Sequence, residues 1–132
     1  LETDLTPQTP ERLSPLLLAY IGDAVYELKV REHLLDSGET HMDKLHTAAV
    51  AYVRAERQSE LIAALEGWLT SEEQEVFRRG RNAKSGRQPP HASVGAYRRA
   101  TGLEALIGWL HLQGRTDRLA HIFSVLFRGE EA

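Results

Sequence analysis

Two acids stand alone in apolar surroundings. Asp23 lies in Ala19-Tyr20-Ile21-Gly22-Asp23-Ala24-Val25-Tyr26-Glu27, and Glu104 in Leu103-Glu104-Ala105-Leu106-Ile107-Gly108-Trp109-Leu110. An ionised carboxylate among apolar side chains must be paired, hydrogen-bonded or bound to a metal. Each acid also has a glycine near it, Gly22 or Gly108. A glycine inside a helix costs roughly 1 kcal/mol relative to alanine, so its presence points to close helix packing or close approach by a ligand. Carboxylates converging from two helices make a hard-oxygen site suited to Mg²⁺, with Mn²⁺ as a substitute. Spacing alone does not show that they converge. A structural reading stands beside the chemical one: glycine-mediated helix crossings with each acid in a structural pair.

A third group is basic: Arg78-Arg79-Gly80-Arg81-Asn82-Ala83-Lys84-Ser85-Gly86-Arg87. Arginine and lysine supply phosphate contacts, and glycines let a backbone approach. The Gly-x-x-x-x-Gly-Lys spacing of a phosphate-cradling loop is missing. No Asp or Glu occurs between Val76 and Leu103, a stretch that holds seven of the 16 basic residues. The net charge is -3, so the rest of the chain is acidic and this segment is its one basic region. Such a segment attracts a polyanion locally, although a solvated loop has the same composition. Tyr97 and Arg98 extend the group as a stacking and a phosphate-binding candidate. The six histidines form no metal motif, no nucleophile triad is spaced out, and Trp68 and Trp109 read as packing residues.

The elements that must position these groups read as helices. Residues 1–13 are polar, with Pro7 and Pro10, and are expected to be a mobile lead-in. Ser14-Pro15 is an N-cap followed by proline at the first helical position, and Gly38 stops the helix after Ser37. Leu16–Ala19 is apolar all round, which suggests burial on more than one side. A second helix is expected from Thr40–Asp43 to Gly67, with Leu45, Tyr52, Leu61, Ile62 and Leu65 on its apolar stripe. Thr70 or Ser71 caps a short third helix through about Arg79, with Glu73 and Gln74 at the two capping-box positions. Residues 80–93 are expected to be a loop, marked by Gly80, Gly86 and Pro89-Pro90. Ser93 opens a fourth helix that stops at Gly114, and Thr116 opens a last one through Phe127. Strand-like alternation is absent, so the class is all-α.

Bulk properties set the frame. The chain has 132 residues, 42% apolar and 27% charged, which fits one globular domain with a sizeable core. That domain is placed at residues 14–128, with 129–132 as a tail. No cysteine is present, which excludes disulfides and thiolate metal sites and permits a reducing compartment. No run of 18 apolar residues forms a membrane span. Leu1-Glu2-Thr3-Asp4 lacks the basic and apolar regions of a signal peptide, and the missing initial methionine points to processing or trimming.

Taken together, the motifs resemble a known family. Ile21-Gly22-Asp23-Ala24-Val25 resembles the signature helix of ribonuclease III, and Leu103–Gly108 resembles its later acidic helix. Leu18–Ala24 and Arg79-Gly80-Arg81-Asn82-Ala83-Lys84-Ser85 are similar to the Mini-ribonuclease III branch of that family. The likeness spans roughly residues 14–127. It implies the ribonuclease III endonuclease fold as a helical homodimer, with the signature helix at the interface. It also implies Mg²⁺-dependent hydrolysis of double-stranded RNA to 5′-phosphate and 3′-hydroxyl ends, without a separate double-stranded-RNA-binding domain. Asp23 and Glu104 match two of the family's four carboxylates, as catalytic residues and metal ligands. The other two positions hold Ala19 and Thr101, as in the Mini-ribonuclease III pattern. Water and RNA phosphate would then complete much of the metal shell, with Glu27 or Thr101 as outer support. Arg78, Arg79, Arg81, Asn82, Lys84, Ser85, Arg87, Tyr97 and Arg98 would contact RNA. The implied task is trimming the ends of large-subunit (23S) ribosomal RNA precursor, with ribosomal-protein assistance, in the bacterial cytoplasm or a plastid. The rivals are a non-catalytic RNA-binding or ribosome-assembly module with the same fold, and a helical interaction protein with a solvated basic loop.

Overall fold

The most apolar stretch of the chain becomes its central helix. A computed structural model describes residues 13–65, 67–84 and 93–128. Six helices follow in order: α1 (Pro15–Asp36), α2 (Met42–Val53), α3 (Ala55–Ile62), α4 (Ser71–Asn82), α5 (Val94–Leu112) and α6 (Thr116–Arg128). No strand occurs among the described residues. Helix α5 is apolar on every side over Leu103–Leu110 apart from Glu104, and such a helix must be covered all round. Helices α1, α3, α4 and α6 supply the cover, while α2 leans on α1 and α3. Leu103, Leu106, Ile107 and Leu110 are fully buried in one core cluster with Tyr26 and Val30 of α1 and Ile122 and Leu126 of α6. Each such side chain contributes about 1.5–3 kcal/mol of burial.

Local signals set most of the helix ends. The Ser14 hydroxyl accepts from the Leu17 amide, and Pro15 opens α1. Thr70 and Glu73 form a reciprocal capping box at the head of α4. Ser93 caps α5, and Gly38 takes a φ of 95° just beyond α1. Two helices depart from the sequence expectation. The expected second helix breaks at Arg54, where ψ swings to 139°, giving α2 and α3. Two bonds hold the break: the Tyr26 hydroxyl of α1 donates to the Tyr52 carbonyl at 2.9 Å, and the Gln58 amide reaches back to donate to the Val53 carbonyl at 3.3 Å. Helix α4 runs on past Arg79 and through Gly80, which packs against α5 instead of starting a loop.

Two smaller expectations also change. Leu13, placed in the lead-in, is partly buried against the core; residues 1–12 and 129–132 lie outside the described residues. The apolar run at the head of α1 divides, with Leu18 and Ala19 buried and Leu16 and Leu17 facing outward. Helix α1 packs on the body along one side only.

The far end of the body is closed by a charged pair. Glu73 is 0% exposed, and the Arg118 guanidinium grips both its carboxylate oxygens at 2.6 Å. The Trp68 ring covers the guanidinium at 4.1 Å. Burial raises the Glu73 carboxyl, but the bonds from Arg118 and Thr70 outweigh it and hold the group below the ordinary glutamate value. A depressed carboxylate stabilises the fold above the unfolded-state pKa, and that stability is lost as pH falls through the folded value. Arg118→Met should therefore cost about 3 kcal/mol at neutral pH, the low end for an opened buried pair because Arg118 keeps some exposure. Denaturant unfolding across pH checks this. The gap between wild type and variant should be full well above the ordinary glutamate value of about 4.3 and close on acidification, starting where the variant's unpaired Glu73, raised by burial, takes up its proton.

Candidate active site

Helices α1 and α5 cross at two glycines. A Cβ on Gly22 would lie 1.7 Å from the Glu104 carbonyl oxygen and 2.9 Å from the Gly108 amide nitrogen. A Cβ on Gly108 would lie 1.9 Å from the Leu18 carbonyl oxygen and 3.0 Å from the Gly22 amide nitrogen. The contact is reciprocal, and no side chain fits between the two backbones. Close helix packing is thus the reason for both mid-helix glycines. Asp23 follows Gly22 directly, and Glu104 sits one turn before Gly108 on nearly the same face of α5. The crossing brings the two carboxyls into hydrogen-bonding contact.

The electrostatics of the pair are unusual for a structural contact. Asp23 is exposed and Glu104 is partly buried. Burial first, and then the negative charge of Asp23, push Glu104 up to about 8. A bond from the Gln58 side-chain amide, 3.2 Å from Glu104 Oε2, offsets part of that rise. The group facing Glu104 is therefore a second acid, in surroundings that disfavour two negative charges. A divalent cation between the carboxyls would remove the repulsion, and their oxygens are the donors that Mg²⁺ and Mn²⁺ take. Among the described residues no group of three or more His, Cys, Asp or Glu side chains is placed to hold a metal. Water and substrate oxygens would fill the rest of such a shell, as Mg²⁺ commonly allows.

The two positions where further acids are implied add no carboxylate. Ala19 is buried in the core, and the Thr101 hydroxyl donates to the Tyr97 carbonyl within α5 at 3.0 Å. Glu27 binds Arg31 at 2.7 Å and lines a groove of ≈ 260 Å³ between α1 and α2. Gln58 was not singled out by sequence. Its one signal is position: a polar residue three and four before Leu61 and Ile62, on the buried stripe of α3.

The basic group divides. Arg79, Arg81, Asn82 and Lys84 are exposed at the end of α4, where positive charge also complements the helix dipole. Arg78 is held by Glu75 on the preceding turn. Ser85 and Arg87 lie outside the described residues. Arg98 is exposed on α5, whereas Tyr97 is partly buried. Helix α4 meets α5 at a second glycine pair. A Cβ on Gly80 would lie 2.9 Å from Gly102 Cα, and one on Gly102 would lie 2.7 Å from the Phe77 carbonyl oxygen.

A central apolar helix crossed at glycines, with one acid from each of two helices, defines a class. Residues 16–115 match the Ribonuclease III domain, and the chain belongs to the ribonuclease III family. Within that family its relatives include the Mini-ribonuclease 3 of Clostridium tetani, 40% identical over 93% of this chain and 82% of that protein. The Mini-ribonuclease 3 of Symbiobacterium thermophilum is 46% identical over 86% of this chain and 87% of that protein. A crystal structure of a Fusobacterium nucleatum protein superposes with a TM-score of 0.79 at 32% identity, covering 89% of this chain and 93% of the other.

The crossing makes a sharp stability contrast. Gly108→Ala should destabilise the fold by about 3 kcal/mol or more, because backbone rather than a movable side chain blocks the methyl. Gly95→Ala, on the same helix, meets only the end of Arg99 at 3.7 Å and should be neutral or stabilising by up to about 1 kcal/mol. Urea titration of both variants checks the sign.

Proposed function

We propose that this chain is a divalent-cation-dependent endoribonuclease that hydrolyses phosphodiester bonds in double-stranded RNA. The observation that carries the reading is the Asp23–Glu104 pair, two carboxyls from separate helices held in contact. Asp23 and Glu104 would hold Mg²⁺, with Mn²⁺ as a substitute. The bound ion would supply an activated water and offset charge on the phosphate. The balanced reaction adds water oxygen to phosphorus and breaks the bond to the 3′ oxygen, leaving 5′-phosphate and 3′-hydroxyl ends. Glu104 is fixed by burial and by Gln58, while exposed Asp23 faces the approaching strand.

The substrate class rests on the basic groups and the family. Arg79, Arg81 and Lys84 project into solvent and are suited to phosphate, with Arg78, Asn82, Ser85, Arg87, Tyr97 and Arg98 as further contacts. Duplex RNA hides its bases in a deep groove, so recognition by shape and backbone suits such a set. Membership of the ribonuclease III family supports double-stranded RNA as the substrate, and in this reading the task would be maturation of the ends of large-subunit ribosomal RNA precursor, with assistance from a ribosomal protein, in the cytoplasm. Among the described residues no helix is long and apolar enough to cross a membrane.

The working unit in this reading is a homodimer. Leu17, Tyr20 and Leu28 are 53%, 76% and 55% exposed along one side of α1, with exposed Ala24 between them. An apolar stripe at helical spacing on a surface fits a second copy of the same stripe. Sedimentation of the 14.8 kDa chain at twice its mass is the expected result.

Labelled duplex and single-stranded RNA, each with Mg²⁺ or EDTA, test the reaction. Cleavage is expected for duplex with Mg²⁺ only, and should fall at least about 100-fold in Asp23→Asn and Glu104→Gln. RNA binding without cleavage, on ribosomal precursors as well, would favour the non-catalytic module that the missing acids at Ala19 and Thr101 also fit. Replacing Arg81 and Lys84 by alanine should weaken duplex binding and lower its salt slope by about 1 per lost phosphate contact. An unchanged slope would take these residues out of the interface.

A further inference from the structure

Gln58 is 1% exposed, and both ends of its amide are accounted for in an unequal way. Nε2 donates to the Val53 carbonyl at 3.3 Å and to Glu104 Oε2 at 3.2 Å. Oε1 is buried and has no hydrogen-bond partner among the described residues. The orientation follows from chemistry, because both neighbours are acceptors and only the NH₂ end can serve them. Leaving a buried acceptor unpaired is costly, so such an atom in a native fold calls for a reason.

The surroundings supply one. The helix break at Arg54 frees the Val53 carbonyl from the α2 ladder, and Gln58 reaches back five residues to it. The amide is thereby clamped at one end and presents its other proton to Glu104. Arg99 on α5 donates to the neighbouring Ser59 hydroxyl at 2.6 Å, which fastens α3 to α5 beside the clamp. We infer that Gln58 is a positioning residue: clamped by the broken helix, it fixes the Glu104 carboxyl in the orientation that receives a divalent cation. This rests on the nuclease reading above. Gln58 touches neither substrate nor cation and acts through Glu104. A merely space-filling residue at this site would be apolar and would leave no orphaned oxygen.

Gln58→Met keeps the length of the side chain and removes the donor. Direct Mn²⁺ binding, read from the loss of the free-ion EPR signal, is compared between wild type and variant, beside single-turnover and steady-state cleavage of duplex RNA. Removal of an outer partner of a metal ligand commonly costs 10–100-fold in metal affinity or activity. The expected result is Mn²⁺ affinity weakened about 10-fold or more. The Mg²⁺ needed for half-maximal cleavage should rise in step, while KM for RNA stays unchanged. In a Glu104→Gln background, Gln58→Met should have no further effect on Mn²⁺ binding. Gln58→Asn, milder for folding and too short to reach both acceptors, should shift Mn²⁺ affinity in the same direction. Circular dichroism melts place every comparison below the unfolding transition. Wild-type Mn²⁺ affinity in both variants, even with a lowered melting temperature, would overturn the positioning role and leave the nuclease reading standing. A wild-type chain that neither binds Mn²⁺ nor cuts duplex RNA would overturn both.

Discussion

Two backbones that pass within van der Waals contact leave no freedom in how the rest of a small helical body is arranged. The Gly22–Gly108 crossing is such a contact, with each glycine's missing Cβ replaced by a carbonyl of the other helix. It fixes the distance, angle and register of α1 against α5 together, because sliding by one residue would drive a side chain into backbone. Asp23 and Glu104 are within one turn of the crossing on their own helices. Their meeting is therefore a consequence of main-chain geometry rather than of flexible side chains finding one another. A site built this way is held before any ligand arrives, as differential binding of a transition state requires.

The same placement stores an unfavourable interaction. A partly buried carboxyl facing a second acid is the reverse of the Glu73–Arg118 pair at the other end of the body. There, two short bonds hold a fully buried carboxylate ionised. At Glu104 a single neutral amide donates among the described residues, and burial together with Asp23 dominates. One chain thus treats two buried glutamates in opposite ways. The compensated one belongs to the framework, whereas the uncompensated one stands where two helices open to solvent. In the proposed reading a divalent cation would supply the compensation that burial and Asp23, which push Glu104 up to about 8, otherwise leave unmet.

What could be read from sequence was mainly what local chemistry decides. The caps at Ser14, Thr70 and Ser93 and the stops at Gly38 and Gly114 are written in a few adjacent residues, and the helices start and end there. Asp23 and Glu104 were visible because a lone acid in an apolar helix has few explanations. Gly80 was misleading for a physical reason. Glycine marks loops by its conformational freedom and helix crossings by its lack of a Cβ, and only the partner helix tells which applies. The break at Arg54 carries no glycine or proline; it is fixed by Tyr26 from another helix and by Gln58 reaching back across it. The Glu73–Arg118 pair spans 45 residues, so its glutamate could be read only as half of a capping box.

Helix α5 also decides how the parts relate. At about 100° per residue, Glu104 lies roughly 40° around the helix from Gly108 and about 200° from Gly102. The acid therefore faces α1 and α3, while the second glycine crossing holds α4 on the opposite side. In the proposed reading α5 separates the reaction site from the basic end of α4. Chemistry stays on one side of a rigid, fully packed helix, and much of the phosphate grip on the other. An RNA duplex is broad enough to bear on both without either group bending the other. Changes at the basic end then leave the carboxyl geometry intact, since distant sites with no shared partner act independently. The acidic remainder of the surface confines the attraction for a polyanion to that end, so net negative charge and nucleic-acid binding are compatible in one small body.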